Sequence, residues 1–328
     1  MADTAVDLGG TEPGSGPTRR KGRSRGATGR NDGVRYPRWF WPSFSSPATI
    51  WLLLLFVLPF YAILAVAFGK IDPIFQQPLP VWNPLHWNFD SFRFVVDQTF
   101  RAGGVYRYAY LRTLLYVGIA AGASLLIGYP VAYFIARFGG RFKTLMLLLL
   151  IAPFWISYLM RMLAWVNLLL PDGLVNRSLE RLGLISAPVN WLDGKGYTVV
   201  FGLIYGYIPY MILPLYASLD RIDRSLLEAA RDLGAGRIQT FRRVTLPLSR
   251  QAILAGFVIV MLPMFGDYYT NDLLSHSAST SMLANLVDTS INSALVRQAA
   301  SIVILMMLIL LLPMFYYLYE TNKASAGG

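Results

Sequence analysis

The stretch EAARDLGAGRIQTFRRVTLPL, Glu228 to Leu248, decides how this chain is read. It is charged, carries two glycines and ends in Leu-Pro, yet it lies between two long apolar runs of a chain that is 55% hydrophobic. Just before it, Ser225 stands at capping-box spacing from Glu228, which predicts a helix starting at Ser225. Leu226, Ala230 and Leu233 then fall on one face at i, i+4, i+7. Gly234 occupies the place where helices commonly stop. After Ala235-Gly236 a second pattern sets Ile238, Phe241 and Val244 against Arg237, Arg242 and Arg243, before Leu246-Pro247 leads into apolar sequence. The expected shape is helix, glycine hinge, helix, proline. That is a compact polar knob, built to enter a groove on another protein.

The apolar runs on either side set the fold class. Mean hydropathy is +0.46. Only 14% of residues are charged, where an ordinary soluble domain carries about 25%. Six runs of about 18 or more residues, roughly 48–68, 113–136, 144–168, 197–219, 251–270 and 299–319, are each long enough to cross a hydrocarbon core of about 30 Å. Backbone groups in lipid must be satisfied within their own segment, so each run is predicted to be helical. The predicted fold is an all-α, polytopic membrane protein with six transmembrane helices. The membrane domain spans 39–320, with polar segment 223–247 inside it and tails at 1–38 and 321–328.

Charge placement orients the helices. Residues 1–38 are rich in Gly, Thr, Ser, Pro and Arg and carry eight basic residues, so they are predicted to be a disordered tail lying against anionic lipid. With that tail in the cytoplasm, the loop 137–143, the segment 220–250 and the C-terminal tail fall on the same side. That side then holds 19 of the 29 Lys and Arg residues. This positive-inside bias predicts both termini in the cytoplasm and Glu228 facing it. The net charge of +11 is thus assigned to a membrane surface and not to nucleic acid. Ala65-Val66-Ala67 has the small-x-small look of a signal cleavage site, but the preceding polar stretch is too long, and the first run is read as retained. Gly118/Gly122 and Gly202/Gly206 place small residues on helix faces for close packing. Pro130, Pro153, Pro209, Pro214 and Pro263 interrupt the runs and offer kinks. Residues 69–107, with Trp82 and Trp87, read as an ordered outer loop. The stretch 171–192 reads as a short surface helix with Leu174, Leu179 and Leu182 or Leu184 on its apolar side.

Glu-Ala-Ala, three residues, Gly, nine residues, then Val-x-Leu-Pro resembles the EAA signature of permease subunits of ABC importers. Glu228, Ala229, Ala230, Gly234, Val244, Leu246 and Pro247 match it. The resemblance implies the type I importer permease fold and makes 223–247 a coupling segment. There Glu228 meets a cytoplasmic ATPase and Gly234 makes the turn. PFWISYLMRMLAW (Pro153–Trp165), GLVNRSLERLGL (Gly173–Leu184) and FGDYYTNDLL (Phe265–Leu274) look like the spermidine/putrescine branch, with Asn271 and Ser275 standing where that branch usually has proline and glycine. The resemblance covers roughly residues 48–320. It implies a pair of ATPase subunits, a second permease chain that is a paralogue, an extracytoplasmic solute-binding protein, and a bacterial inner membrane. The chain has no G-x-x-x-x-G-K-[ST] phosphate loop. It is therefore read as no enzyme and as binding no cofactor, with ATP and Mg belonging to the partner ATPase.

Two charges stand inside the predicted spans. Arg161 lies in the third run; it either anchors helices through backbone carbonyls, snorkels outward, or faces a solute path. Tyr158 and Trp165 flank it and join it as pathway candidates. Asp267, followed by Tyr268 and Tyr269, ends the fifth run. A carboxylate beside aromatic rings suits an organic cation, while an Asp267–Arg161 ion pair is the structural alternative. With no cysteine and two histidines, both between runs, a metal site lacks ligands. Other classes fit less well. A secondary transporter or channel needs more buried ionisable groups than one Asp and one Arg. An intramembrane enzyme needs a catalytic motif, and no H-E-x-x-H or G-x-S-x-G occurs. An importer of another small solute remains open.

Overall fold

The computed structural model of the chain describes residues 40–72, 74 and 77–326; the basic tail 1–38 lies outside them. Two units are distinguished, Met1–Leu53 and Leu54–Gly328. The described part of the first is the opening half of helix α1 (Phe40–Ala67). The second begins with the rest of α1 and a two-residue hairpin, β1 (Lys70–Ile71) against β2 (Pro78–Leu79), the one departure from an all-helical chain among the described residues. Helices α2 (Asp90–Phe100), α3 (Arg107–Phe138), α4 (Lys143–Ile151), α5 (Tyr158–Leu169), α6 (Leu174–Arg181) and α7 (Gly196–Arg221) follow. Then come α8 (Arg224–Asp232), α9 (Arg237–Thr240), α10 (Leu246–Leu248), α11 (Arg250–Phe265), α12 (Tyr269–Leu274), α13 (Leu283–Asn292) and α14 (Val296–Ala326). The predicted C-terminal tail is thus largely the end of α14.

Four helices, Ser43–Ala67, Arg107–Phe138, Gly196–Arg221 and Val296–Lys323, are long and apolar enough to cross a membrane, and two bent pairs raise the number to as many as six. The third apolar run is not the single helix expected over 144–168. Its arms, Gly140–Trp155 and Tyr158–Arg181, meet at 87°. Pro153 cannot donate a helical hydrogen bond, a 3₁₀ turn forms over Ala152–Trp155, and the backbone is extended at Ile156 and Ser157 (ψ 133° and 140°). Just ahead of the fifth run, Arg237–Leu248 meets Arg250–Phe265 at 61°, and the helix of the run ends at Phe265 and not at 270. Pro130, Pro209, Pro214 and Pro263 sit within continuous helices, so only Pro153 of the five marks a break in helical structure.

The core lies where α3, α7 and α11 meet, around Val117, Ala120, Ala121, Leu203, Met211, Leu215 and Val260. Small residues set this approach. A Cβ at Gly256 would stand 2.8 Å from the Met211 sulfur, and one at Gly128 would stand 3.2 Å from Ile212. Gly202 and Gly206 pack as their spacing predicts, whereas a Cβ at Gly118 or Gly122 would meet nothing within 4 Å. The two tryptophans of the loop after α1 include one packed side chain. The Trp87 indole donates to the Val81 carbonyl at 2.8 Å, and its ring lies 5.0 Å from Phe68.

The corner before α11 is tied to α3. Phe241 meets Tyr129 and Tyr133 edge-on, at 5.7 and 6.2 Å. Ser249, at the bend, donates to the Leu246 carbonyl (3.1 Å), so the buried Tyr129 hydroxyl donates to Ser249 Oγ (2.8 Å). Residues Phe241–Thr245 form a wide π turn ahead of Pro247. Proline's missing N–H and its ring, which crowds the carbonyl four residues back, favour that widening.

The surface helix α6 forms where predicted. Leu174, Leu182 and Leu184 are exposed. The inward anchor is Asn176, fully buried. Its amide donates to the Leu170 and Val189 carbonyls at 3.0 Å each, and its Oδ1 accepts from the Val189 N–H (3.1 Å) and the Trp191 indole (2.9 Å). All four capacities of one amide are used, which fixes the loop that follows.

Candidate functional site

The polar knob is built from α8, a glycine turn and α9. Helix α8 starts at Arg224 and not at Ser225. Its N-cap is Asp223, whose carboxylate accepts the Ser225 N–H at 3.0 Å. Hydrogen bonds from Ser225 hold the Asp223 carboxyl below its ordinary range. The predicted Ser225–Glu228 capping box is therefore replaced by an aspartate cap. Glu228 is left exposed, and none of the ion pairs among the described residues involves it. At the other end, Gly234 adopts φ +84°. Its N–H bonds to the Arg231 carbonyl (2.8 Å), and the Ala235 N–H bonds to the Ala230 carbonyl (3.0 Å). This is the 5→2 and 6→1 pair of a left-handed helix stop. A Cβ at Gly234 would meet nothing within 4 Å, so any penalty there is purely backbone. Gly234→Ala is expected to destabilise the knob by about 1 kcal/mol, and Gly234→Asn by less, because asparagine tolerates this conformation. Hydrogen exchange of the Ala235 amide measures both.

The predicted apolar face of α8 splits. Ala230 turns inward with Leu227, while Leu226 is 49% and Leu233 is 89% exposed. Ile238, across the glycine turn, is 77% exposed. Glu228 and Ala229 are exposed, and Leu246 and Pro247 hold the corner above them. The knob thus shows solvent the Glu228 carboxylate, the large apolar side chains of Leu226, Leu233 and Ile238, and several arginines.

The second cluster gathers at the breaks of the third and fifth runs. Asp267 is 5% exposed and follows the end of α11. One carboxylate oxygen accepts from the Tyr158 hydroxyl (2.6 Å), the Thr270 hydroxyl (2.6 Å) and the Tyr207 hydroxyl (3.2 Å); the other accepts the Thr270 N–H (3.0 Å). Tyr158 and Thr270 also touch through their hydroxyls. Three segments therefore converge on one carboxylate: α5 through Tyr158, α7 through Tyr207 and α12 through Thr270. Tyr207 and Thr270 were not singled out from the sequence; a hydroxyl three residues after Asp267 was the readable signal for Thr270, and Tyr207 lies far away in the chain.

Arg161 is 8% exposed, and its guanidinium lies over the rings of Phe154 (5.1 Å) and Tyr158 (5.4 Å). Its Nε is buried with no hydrogen-bond partner, and no ion pair among the described residues joins it to Asp267. Trp165, next along α5, packs edge-on against Phe201 (4.6 Å) and Tyr205 (5.2 Å). Tyr268 and Tyr269 stack on each other at 4.0 Å, with Tyr269 42% exposed, and their hydroxyls take no part in holding Asp267. Asn271 is 3% exposed and its Oδ1 has no partner, while Ser275 bonds to Thr280 at 2.6 Å.

Gly206 makes the cluster possible. A Cβ there would stand 2.6 Å from a Tyr158 ring carbon and 2.9 Å from its hydroxyl. Gly206→Ala is expected to push Tyr158 off Asp267 at a cost of about 1–3 kcal/mol. Lower thermal stability of the detergent-purified chain is the result to look for. No group of three or more His, Cys, Asp or Glu residues able to hold a metal occurs among the described residues.

Residues 125–322 match the family of binding-protein-dependent transport system inner membrane components. The spermidine/putrescine transport system permease protein PotB of Haemophilus influenzae is 35% identical over 238 residues, covering 72% of this chain and 78% of that protein. Its Escherichia coli counterpart is 34% identical over 238 residues, covering 72% and 81%. The E. coli inner membrane ABC transporter permease protein YdcU is 35% identical over 175 residues, half of this chain and 56% of that one. Among solved structures, a chain of a bacterial ABC transporter involved in the import of the acidic polysaccharide alginate superposes with a TM-score of 0.61 at 20% identity, covering 87% of this chain and 96% of that one. A chain of a bacterial alginate ABC transporter in complex with an alginate pentasaccharide-bound periplasmic protein gives 0.60 at 20% identity, covering 87% of this chain and 95% of that one. The structural likeness gives the fold, and the sequence match gives the lineage: the chain belongs to the family of binding-protein-dependent transport system inner membrane components.

Proposed function

We propose that this chain is a membrane-spanning permease subunit of an ATP-driven importer of polyamines, working in a bacterial inner membrane. The observation that carries the substrate is the 34–35% identity to spermidine/putrescine permeases along most of both chains. A buried carboxylate ringed by tyrosines is consistent with it, because a primary ammonium pairs with carboxylate and is drawn to aromatic faces. The chain crosses the membrane six times, the broken third run and α11 each counting as one span, with both termini in the cytoplasm. Asp267, Tyr158, Tyr268, Tyr269, Trp165 and Arg161 border the solute path. Residues 223–247 dock into a cytoplasmic ATPase pair through Glu228, with Ala229, Ala230, Gly234, Leu246 and Pro247 shaping the segment. A paralogous permease completes the path, a binding protein delivers the solute from outside, and ATP and Mg stay on the ATPase.

In this reading ATP draws the two ATPases together, the knobs follow, and the spans tilt between inward- and outward-facing states. The motion is of rigid-body type, driven by ATP's preference for one state. The test is uptake of labelled spermidine in the source bacterium with and without the gene, with putrescine as competitor. Loss of uptake restored by complementation supports the reading. Unchanged uptake, with redundant polyamine systems also deleted, removes polyamines and leaves an importer of another small solute, the reading that Asn271 and Ser275 favour where the polyamine branch usually has proline and glycine.

A further inference from the structure

We propose that Arg161 is an internal competitor of the transported cation: a tethered guanidinium that pairs with Asp267 once Tyr158 has moved aside. The proposal rests on the reading of Asp267 as the carboxylate that meets the solute.

The structure holds one buried anion and one buried cation in its third and fifth apolar runs and leaves them unpaired. Asp267 is covered by hydroxyl and amide donors, none of which carries a charge. Arg161 has aromatic faces around it and an Nε without a partner. Both touch the same side chain from different sides. The Tyr158 hydroxyl caps the carboxylate, and the Tyr158 ring carries the guanidinium. A charge held at low exposure without a counter-charge is costly, and an opposite charge one side chain away is its natural partner. Tyr158 is the wedge between them.

The wedge is mounted to move. Tyr158 is the first residue of α5, directly after the extended Ile156–Ser157 break where the two arms meet at 87°. Its ring rests against Gly206 of α7, where a Cβ would stand 2.6 Å from it, and beside the Tyr207 ring at 5.6 Å. A shift of α5 about that break withdraws the hydroxyl from Asp267 and carries Arg161, on the next turn of the same helix, with it. The carboxylate then has two rivals of the same charge: the ammonium of the solute and the guanidinium of Arg161. Because Arg161 is tethered, its return to Asp267 displaces the solute without any second ion. Arg161 is a positioning residue here; its action runs through Asp267.

The test is a pair of structures of the assembled transporter, one without nucleotide and one trapped with a non-hydrolysable ATP analogue. The expected result is that one state shows the Arg161 guanidinium within hydrogen-bond distance of Asp267 and the Tyr158 hydroxyl withdrawn. Tyr158 capping Asp267 in both states, with Arg161 unpaired, overturns the proposal. A second readout uses assembled complexes: Arg161→Gln is expected to cut uptake about tenfold or more while ATP hydrolysis persists, with Arg161→Lys retaining a larger share. Wild-type uptake by Arg161→Gln also overturns it. If that variant fails to assemble, the paired structures decide alone. If the transported solute is not a polyamine, spermidine uptake fails while the Arg161–Asp267 pairing is still seen, so the two readings fail separately.

Discussion

Glu228→Arg is expected to abolish uptake while leaving the chain in the membrane at normal abundance. Glu228 is exposed, sits in the middle of α8, and engages in none of the ion pairs among the described residues. Its substitution therefore removes nothing that folds the chain. Its helix is instead held by Asp223 at one end and Gly234 at the other, and both stay in place. Any effect must then come from what the knob meets. In a docking cleft shaped for a carboxylate, a reversed charge leaves a partner group unpaired and adds repulsion, weakening docking by at least about thirtyfold. Co-purification of the ATPase with a tagged chain reads this directly, and uptake reads its consequence. Glu228→Gln, which keeps the shape and loses the charge, should fall between. A Glu228→Arg chain that still brings down its ATPase and imports normally would remove Glu228 from the interface.

The second large effect separates two roles of Asp267. Asp267→Ala leaves the hydroxyls of Tyr158 and Tyr207 and the N–H of Thr270 without their acceptor in an apolar setting. Stranded buried donors cost about 1–3 kcal/mol each, and partial rearrangement brings the expected loss to about 3–5 kcal/mol. Lower yield and a lower melting temperature in detergent should follow. Asp267→Asn keeps an acceptor oxygen and nearly the same volume, so its abundance should approach that of the natural chain. If the solute pairs with that charge, as proposed, uptake of a cationic solute should nonetheless fall about tenfold or more. If Asp267→Asn transports normally, the carboxylate serves only to tie α5, α7 and α12 together.

How much of this was readable in the sequence differs from element to element. The apolar runs declared themselves by length and by the absence of charge, and the knob by the spacing of Glu228, Gly234 and Pro247. The faces were harder. On α8 the leucines recur at helical spacing, but Leu226 and Leu233 point outward and Leu227 inward, because neighbouring Phe241 and Tyr133 decide which side is covered. On α6 the anchor is the polar Asn176, which an apolar periodicity cannot find. Inside the apolar runs nearly every position is apolar, so periodicity has little contrast from which to read a face. The break at Ile156–Ser157 escaped for the same reason: hydropathy is continuous across it, and proline alone does not say whether a helix kinks or stops. The meeting of Tyr207 with Asp267 is a tertiary fact, 60 residues apart in sequence.

The braced corner at Ser249 has a mechanical consequence. A helix bent by 61° would ordinarily behave as an elbow and absorb a push applied to its far arm by flexing. Here two struts brace the elbow: the Tyr129–Ser249 hydrogen bond at the joint, and Phe241 wedged against Tyr129 and Tyr133 on the lower arm. Both struts end on α3, which is itself packed along α7 through Ala120, Ala121 and Gly128. A load delivered at Leu233 or Ile238 would therefore reach α3 as torque on a stiff bracket, and through α3 the packed face of α7 that carries Tyr207.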